Sequence, residues 1–341
     1  MNFKYTALFL CLSLSSCSFS NKEIRPNQES IKTETQPPKI SKRKTVIVPN
    51  KLGCINPDFV KQVTLGYQGW FSAKGDGVSN VWKHWSPYNT VPAPGNITFE
   101  MYPDVSEYNP SDLFPTKLGK LGNGKPAKLF SSARDGVVNL HFKWMADYGL
   151  DGIALQRFAS ELKHKNNLKH HNKVAQLVKK YAEKYCRTFY ITYDVSSSPI
   201  KDIVPRIKND WTIVMEKKLN LIDSQQYARY KGKPVIGLWG FGLNTPAHNF
   251  SQKQALALIK WFRKKGFYVV GGVPYNWRLG KLDSRKNWLS VYKQYDMVLP
   301  WSVGRYRETK ELLHHYESIW QQDLVFSKKN NLQMKRVIFP G

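Results

Sequence analysis

Acidic residues are scarce in this sequence: 25 Asp plus Glu stand against 52 Lys plus Arg, a formal net charge of +27. Such an excess favours polyanionic partners. The basic residues are nevertheless scattered along the whole chain, apart from short runs such as SKRKT, and no nucleic-acid recognition motif accompanies them. A lysine-rich solvated surface accounts for the charge, and no nucleic acid is expected as a partner. Cysteine is sparse too, with four in 341 residues. Beyond Cys11 and Cys17 only Cys54 and Cys186 remain; a bridge between them would need an oxidising compartment, and two cysteines so far apart are read as unpaired. Nothing suggests a metal site. No Gly-rich dinucleotide or phosphate loop opens any helical stretch, so no cofactor is expected.

Long hydrophobic runs are missing as well. The most apolar stretch, TALFLCLSL, follows the early Lys4 and leads through small residues into Cys17. That is the order of a secretory signal, and it is too short to span a bilayer. Leu14, Ser15, Ser16 and Cys17 resemble a bacterial lipobox, in which the cysteine is acylated. The plainer alternative is a signal peptide with an incidental cysteine. We therefore expect a signal peptide over 1–16, a lipidated Cys17 heading a flexible tether over 17–48, and a globular domain over 49–341. The location implied is exported and membrane-anchored, periplasmic or at the cell surface.

What is abundant is aromatic: 11 Trp, 18 Tyr and 17 Phe. They recur in one pattern, an apolar strand, a loop of aromatic and polar residues, then an amphipathic helix. The strands are read at 63–71, 152–158, 188–196, 234–241, 268–273, 297–302 and 336–340, with helices over VVNLHFKWMADYG, KVAQLVKKYAEKY, QALALIKWFRKKG and ETKELLHHYESIWQQ. Alternation of this kind implies parallel strands with crossover helices. Seven strands in about 290 residues suit a (β/α)8 barrel, with the eighth strand and helix lacking, better than a doubly wound sheet.

In such a barrel the site lies at the carboxyl ends of the strands. The side chains there are Trp70 and Phe71; Gln156, Arg157 and Phe158; Tyr193 and Asp194; Trp239 and Phe241; Tyr275, Trp277 and Arg278; Trp301, Arg305 and Tyr306. Aromatic faces stack on sugar C–H groups while Arg, Gln and Asp meet hydroxyls, so a carbohydrate is the expected substrate. Any one of these aromatics taken singly is read as core. Asp151 precedes its strand and is read as a turn residue on the opposite face. The excursion between Phe71 and Lys128 is read as a loop forming one wall of the cleft, with Asp104 and Glu107 as its candidates.

The segments GYQGWF, PDVSEY, ADYGLDGIALQRF, YDVSS, KPVIGLWGFG, GGVPYNWR, PWSVGRY and VIFPG, in this order, resemble bacterial proteins grouped as glycoside hydrolase family 71/99-like. The resemblance covers nearly all of 62–341. It implies a (β/α)8 barrel acting on α-linked polysaccharide or oligosaccharide: family 99 acts on α-mannosides, family 71 on α-1,3-glucans. In those relatives the strand ending in FPG is followed by a segment carrying the catalytic acids, and this chain is expected to be truncated before it. Glycosidic cleavage usually takes two carboxyl groups. Asp194 is the one acid read at a strand's carboxyl end, and hence the candidate catalytic residue. Two functions follow as expectations: a glycoside hydrolase-like protein, inactive if truncated, or a surface lipoprotein that captures glycan without cleaving it.

Overall fold

The computed structural model describes residues 54, 59–60, 62–198 and 200–339, all within the unit Val46–Gly341. The signal peptide, Cys17 and the tether lie outside the described residues. The chain opens with β1 (Thr64–Tyr67), a hairpin of β2 (Leu113–Lys120) and β3 (Pro126–Phe130), and α1 (Asp135–Asp147). Then come β4 (Gly152–Phe158), α2 (Lys165–Tyr185), β5 (Thr188–Asp194) and α3 (Ile203–Asn209), which runs on as a π-helical stretch over Asp210–Lys218. The rest is β6 (Arg229–Tyr230), β7 (Lys233–Trp239), α4 (Gln252–Lys264), β8 (Tyr268–Val273), α5 (Leu289–Tyr292), β9 (Met297–Pro300), α6 (Thr309–His315), α7 (Gln321–Lys329) and β10 (Gln333–Met334).

Seven strands pair in parallel in the order β1-β4-β5-β7-β8-β9-β10, and β6 pairs antiparallel with β7. Chain order and sheet order agree, with helices in the crossovers, so the sheet curls as an incomplete (β/α)8 barrel does. Strand residues such as Ile153, Leu155, Ile191, Ile236, Leu238 and Val269 are buried in one core with Phe142 of α1, Val174 of α2 and Phe262 of α4. Local chemistry sets the element ends. Ser251 and Gln254 form a capping box on α4. Cys186 closes α2 in the left-handed region (φ 54°).

Three expectations need correction. The seventh strand is Gln333–Met334, not 336–340. Past Lys335, whose N–H still bonds Val298 O, the chain leaves the ladder because other partners hold it: Ser302 Oγ donates to Val337 O, and Phe339 packs on Tyr306 at 4.6 Å. The excursion after β1 is not simply a loop. Its second half is the β2–β3 hairpin, and Trp82, Trp85, Tyr108, Leu129 and Phe130 pack with Val137 of α1 as a small core of their own. Finally, Cys54 and Cys186 are disulfide-bonded, 132 residues apart in sequence with Cα atoms at 5.2 Å. Proximity comes from the fold, which linear spacing does not encode.

Candidate functional site

Parallel register places one residue per strand on a common level near the carboxyl ends: Phe158 of β4, Asp194 of β5, Trp239 of β7, Gly272 of β8 and Leu299 of β9. Alternation along each strand then separates two faces. Tyr193 and Arg157 reach outward to Asp210 at the head of the π-helical stretch, so their neighbours Asp194, Gln156 and Phe158 face the inside of the curled sheet.

The inner row is knit together. Gln156 Nε2 donates to Asp194 Oδ2 at 2.5 Å, and the backbone N–H of Ser196 donates to Asp194 Oδ1 at 2.7 Å. Trp239 meets Trp301 edge to face at 5.2 Å between ring centres. It can lie across β8 because Gly272 has no side chain: a Cβ there would come within 2.0 Å of Trp239 Cδ1. At the other end Trp70 is sandwiched between Phe158 (5.1 Å, 17°) and His84 (4.1 Å, 11°). The indole N–H groups of Trp70 and Trp239 have no partner among the described residues. A hydroxyl or a water would complete them.

Burial holds the Asp194 carboxyl above its ordinary range, against the opposing hydrogen bonds from Ser196 and Gln156. His248, edge-on to Trp239 at 5.6 Å, is pulled down to about 4 by burial and is neutral at pH 7; Nε2 pairs with Ser196 Oγ at 2.8 Å and Nδ1 with Thr245 Oγ1 at 2.7 Å. Glu161 follows β4. Burial would raise its pKa, but His171 and Lys83 (3.0 Å) outweigh that and hold it at about 2. The inner row is thus apolar and aromatic around one carboxyl that resists ionisation, with a fixed anion in the loop after β4.

Of the residues expected in the site, the fold brings together Trp70, Gln156, Phe158, Asp194, Trp239 and Trp301. The others are engaged elsewhere. Arg157 and Tyr193 are buried on the outer face with Asp210, because strand alternation turns them away from Gln156 and Asp194. Trp277 is fully buried and donates Nε1–H to Asp323 of α7 at 3.1 Å, so it presents no face to a ligand. Arg278 is paired with the same Asp323 (2.8 Å) and Arg305 with Asp283 (2.7 Å). Tyr306 packs with Trp320 and Phe339. Asp104 and Glu107 are exposed; Asp104 accepts from Ser106 N–H, and Glu107 accepts from Trp144 Nε1 at 3.1 Å. Asp151 accepts from Val63 N–H at 2.7 Å, tying the starts of β1 and β4.

Sequence reasoning passed over His84, Glu161, Ser196 and His248. Ser196 and Glu161 stand two and three residues past a strand end, a position that could have flagged them; His84 and His248 sit in loops with no local signal. Among the described residues no group of three or more His, Cys, Asp or Glu is arranged to hold a metal. Two hollows elsewhere, of about 370 and 580 Å³, share no lining residue with the inner row.

No family model matches the chain, and no curated protein matches it. Among solved structures it is similar to a GH99 endo-alpha-mannosidase from Bacteroides thetaiotaomicron, at 14% identity and a TM-score of 0.47, over 82% of this chain and 71% of that one. A structure of the same enzyme with Bis-Tris-propane gives 12% identity and a TM-score of 0.47, over 82% and 69%.

Proposed function

We propose that the chain is a glycoside hydrolase-like protein that takes an α-linked glycan, an α-mannan or α-glucan, at the carboxyl ends of β4, β5, β7 and β9. The observation that carries this reading is the inner row itself. Half-buried Trp70, Trp239 and Trp301 flank the hydrogen-bonded Gln156–Asp194 pair, the mix of flat apolar faces and fixed polar groups that suits a sugar ring. The α linkage is suggested only by the motif resemblance described above.

Burial holds the Asp194 carboxyl above its ordinary range, the direction that suits a group donating a proton to a leaving oxygen. Hydrolysis by the usual routes takes a second carboxyl group. The inner positions of the seven parallel strands, followed through the register, hold no carboxylate other than Asp194. A second reading, capture without cleavage, rests on that observation. For location we propose export and anchoring through acylated Cys17, a reading that the Cys54–Cys186 disulfide favours because such bonds persist in oxidising compartments.

Calorimetry with α-mannan and α-1,3-glucan oligosaccharides tests the proposal, with reducing-end release run in parallel. Binding is expected; binding with turnover assigns hydrolysis and binding alone assigns capture. If the folded protein bound neither glycan, the proposal would fall. Anchoring is tested by fatty-acid labelling in a bacterial host, expected to vanish in Cys17→Ser.

A further inference from the structure

A groove of about 370 Å³ runs along the outer helical layer between α2 and the end of the π-helical stretch. Lys165, Lys169, Lys173 and Lys218 line it with the amides of Asn172 and Gln176, and no acidic, aromatic or arginine side chain takes part. Among the described residues none of these four lysines makes a hydrogen bond or ion pair. Lysines further along the same helix are engaged: Lys179 bonds Asn220 O, Lys180 pairs with Asp135 and Lys184 bonds Asn139. On α2 the lysines without a hydrogen bond or ion pair are the three that line the groove.

Their spacing is costly to the protein alone. Lys165, Lys169 and Lys173 stand at i, i+4 and i+8 on α2, where like charges face each other and weaken a helix. Each step advances about 6 Å along the helix, so the three ammonium groups form a ladder, with Lys218 on the opposite wall. An extended chain carrying repeated negative groups would cancel the repulsion and gain an ion pair at each rung.

We infer that this groove is a second binding site, distinct from the inner row, for an anionic polysaccharide bearing carboxylate or sulfate groups. Lysine ammonium groups act as compact point charges that pair with such groups without demanding the fixed fork of arginine. Asn172 supplies a side-chain N–H2 for hydroxyls, because its Oδ1 already accepts from Arg157 Nη2 at 2.9 Å. Leu168 and Leu219 offer apolar floor to sugar C–H faces. Single-stranded nucleic acid is the poorer fit, since its binding sites use aromatic platforms for the bases and this lining has none.

The test is calorimetry on the full chain at fixed ionic strength with four probes, the glycans all β-linked so that the inner row is not the site read: carboxymethylcellulose, cellulose sulfate, neutral hydroxyethylcellulose and an oligothymidylate. Two variants are compared, Lys165→Ala/Lys169→Ala/Lys173→Ala/Lys218→Ala and a charge-matched control, Lys281→Ala/Lys286→Ala/Lys310→Ala/Lys329→Ala, drawn from exposed lysines elsewhere. The wild type is expected to bind at least one acidic glycan, and the groove variant to lose about tenfold or more in affinity while the control loses less than about twofold. Which acidic glycan responds identifies the anion. Equal losses in the two variants would reduce the effect to net charge and overturn the inference. So would an acidic glycan bound no better than neutral hydroxyethylcellulose, or the oligothymidylate bound more tightly than both acidic glycans. Thermal melting of the groove variant, expected to be no lower than that of the wild type, guards against misfolding as the cause.

Discussion

Lys335 Nζ donates to Thr64 Oγ1 at 2.8 Å, joining the residue that follows the last parallel strand to the first strand of the same sheet. β10 and β1 share no ladder among the described residues, and this side chain reaches across where backbone pairing is missing. Its ammonium also stands 4.4 Å over the Phe59 ring. Burial lowers the Lys335 pKa to about 8, with the Asp151 carboxylate resisting the shift.

A lysine whose folded pKa lies below its unfolded value binds a proton more tightly when unfolded, so the protonated form weakens the fold. The protein should therefore be less stable below about pH 8 and should gain stability as pH rises from about 8 toward the unfolded value of 10.5. The ceiling on this effect is about 3 kcal/mol. Urea unfolding at pH 7 and pH 9.5, on wild type and Lys335→Met, checks it: the difference in stability between the two proteins should shift in favour of wild type at the higher pH. A pH-independent difference would mean the amine is solvated.

Two tryptophans that look alike in the sequence should separate cleanly by assay. Trp277 is fully buried with its N–H on Asp323, so Trp277→Ala should cost about 3 to 5 kcal/mol of stability. Trp239 is half-buried on the inner row, so Trp239→Ala should cost clearly less stability than Trp277→Ala and about 1 to 2 kcal/mol of glycan binding. The reverse outcome, affinity lost through Trp277→Phe in a stably folded protein and kept in Trp239→Ala, would move the site away from the inner row.

The contrast shows what could be read without coordinates. Strands such as TFYITYD and YVVGGV announce themselves because a parallel strand covered on both faces is a continuous apolar run. Their carboxyl ends were therefore legible, and Asp194, Trp239 and Trp301 with them. Orientation was less so. Gln156 and Arg157 are adjacent and both polar, yet one faces the inner row and the other Asp210, a distinction carried by strand phase and by the partner waiting on each side. Phe339 and Val337 read as strand but are claimed by Tyr306 and Ser302. The helix read from Lys173 begins at Lys165, because polar side chains packed under an inner helical turn, such as the buried His170 and His171, look the same in a sequence as solvated ones.

Gly272 and Gly271 offer a second separation, one residue apart. A methyl on Gly272 would press on the Trp239 ring at 2.0 Å, whereas one on Gly271, across the sheet, would press on buried Tyr295 at 2.3 Å. Gly272→Ala should displace Trp239 and lower glycan affinity about tenfold, the order of losing an aromatic contact. Gly271→Ala should overpack the core and cost about 1 to 3 kcal/mol of stability. Paired calorimetry and urea titration read both; glycan affinity unchanged in Gly272→Ala would show that the Trp239 ring is not a ligand platform.

Arg157 carries the last prediction, and it bears on how the row is held. Its Nε and Nη2 form a forked pair with Asp210 Oδ2 and Oδ1 at 2.5 and 2.6 Å, Tyr193 Oη donates to Oδ2 at 2.6 Å, and Nη2 also reaches Asn172 of α2. One buried carboxylate thus pins β4, β5 and the π-helical stretch, and so fixes the strands that carry Gln156 and Asp194. Removing one partner strands the other charge in the core, which typically costs about 3 to 5 kcal/mol, while removing both with apolar residues of similar size is often close to neutral. Arg157→Met alone should therefore destabilise severely, and Arg157→Met with Asp210→Leu should recover most of the loss in urea unfolding. Calorimetry on the double variant then decides the role of the arginine. Glycan affinity within about twofold of wild type is expected if Arg157 supports the strands from behind; a folded double variant that no longer bound glycan would place Arg157 in contact with the sugar after all.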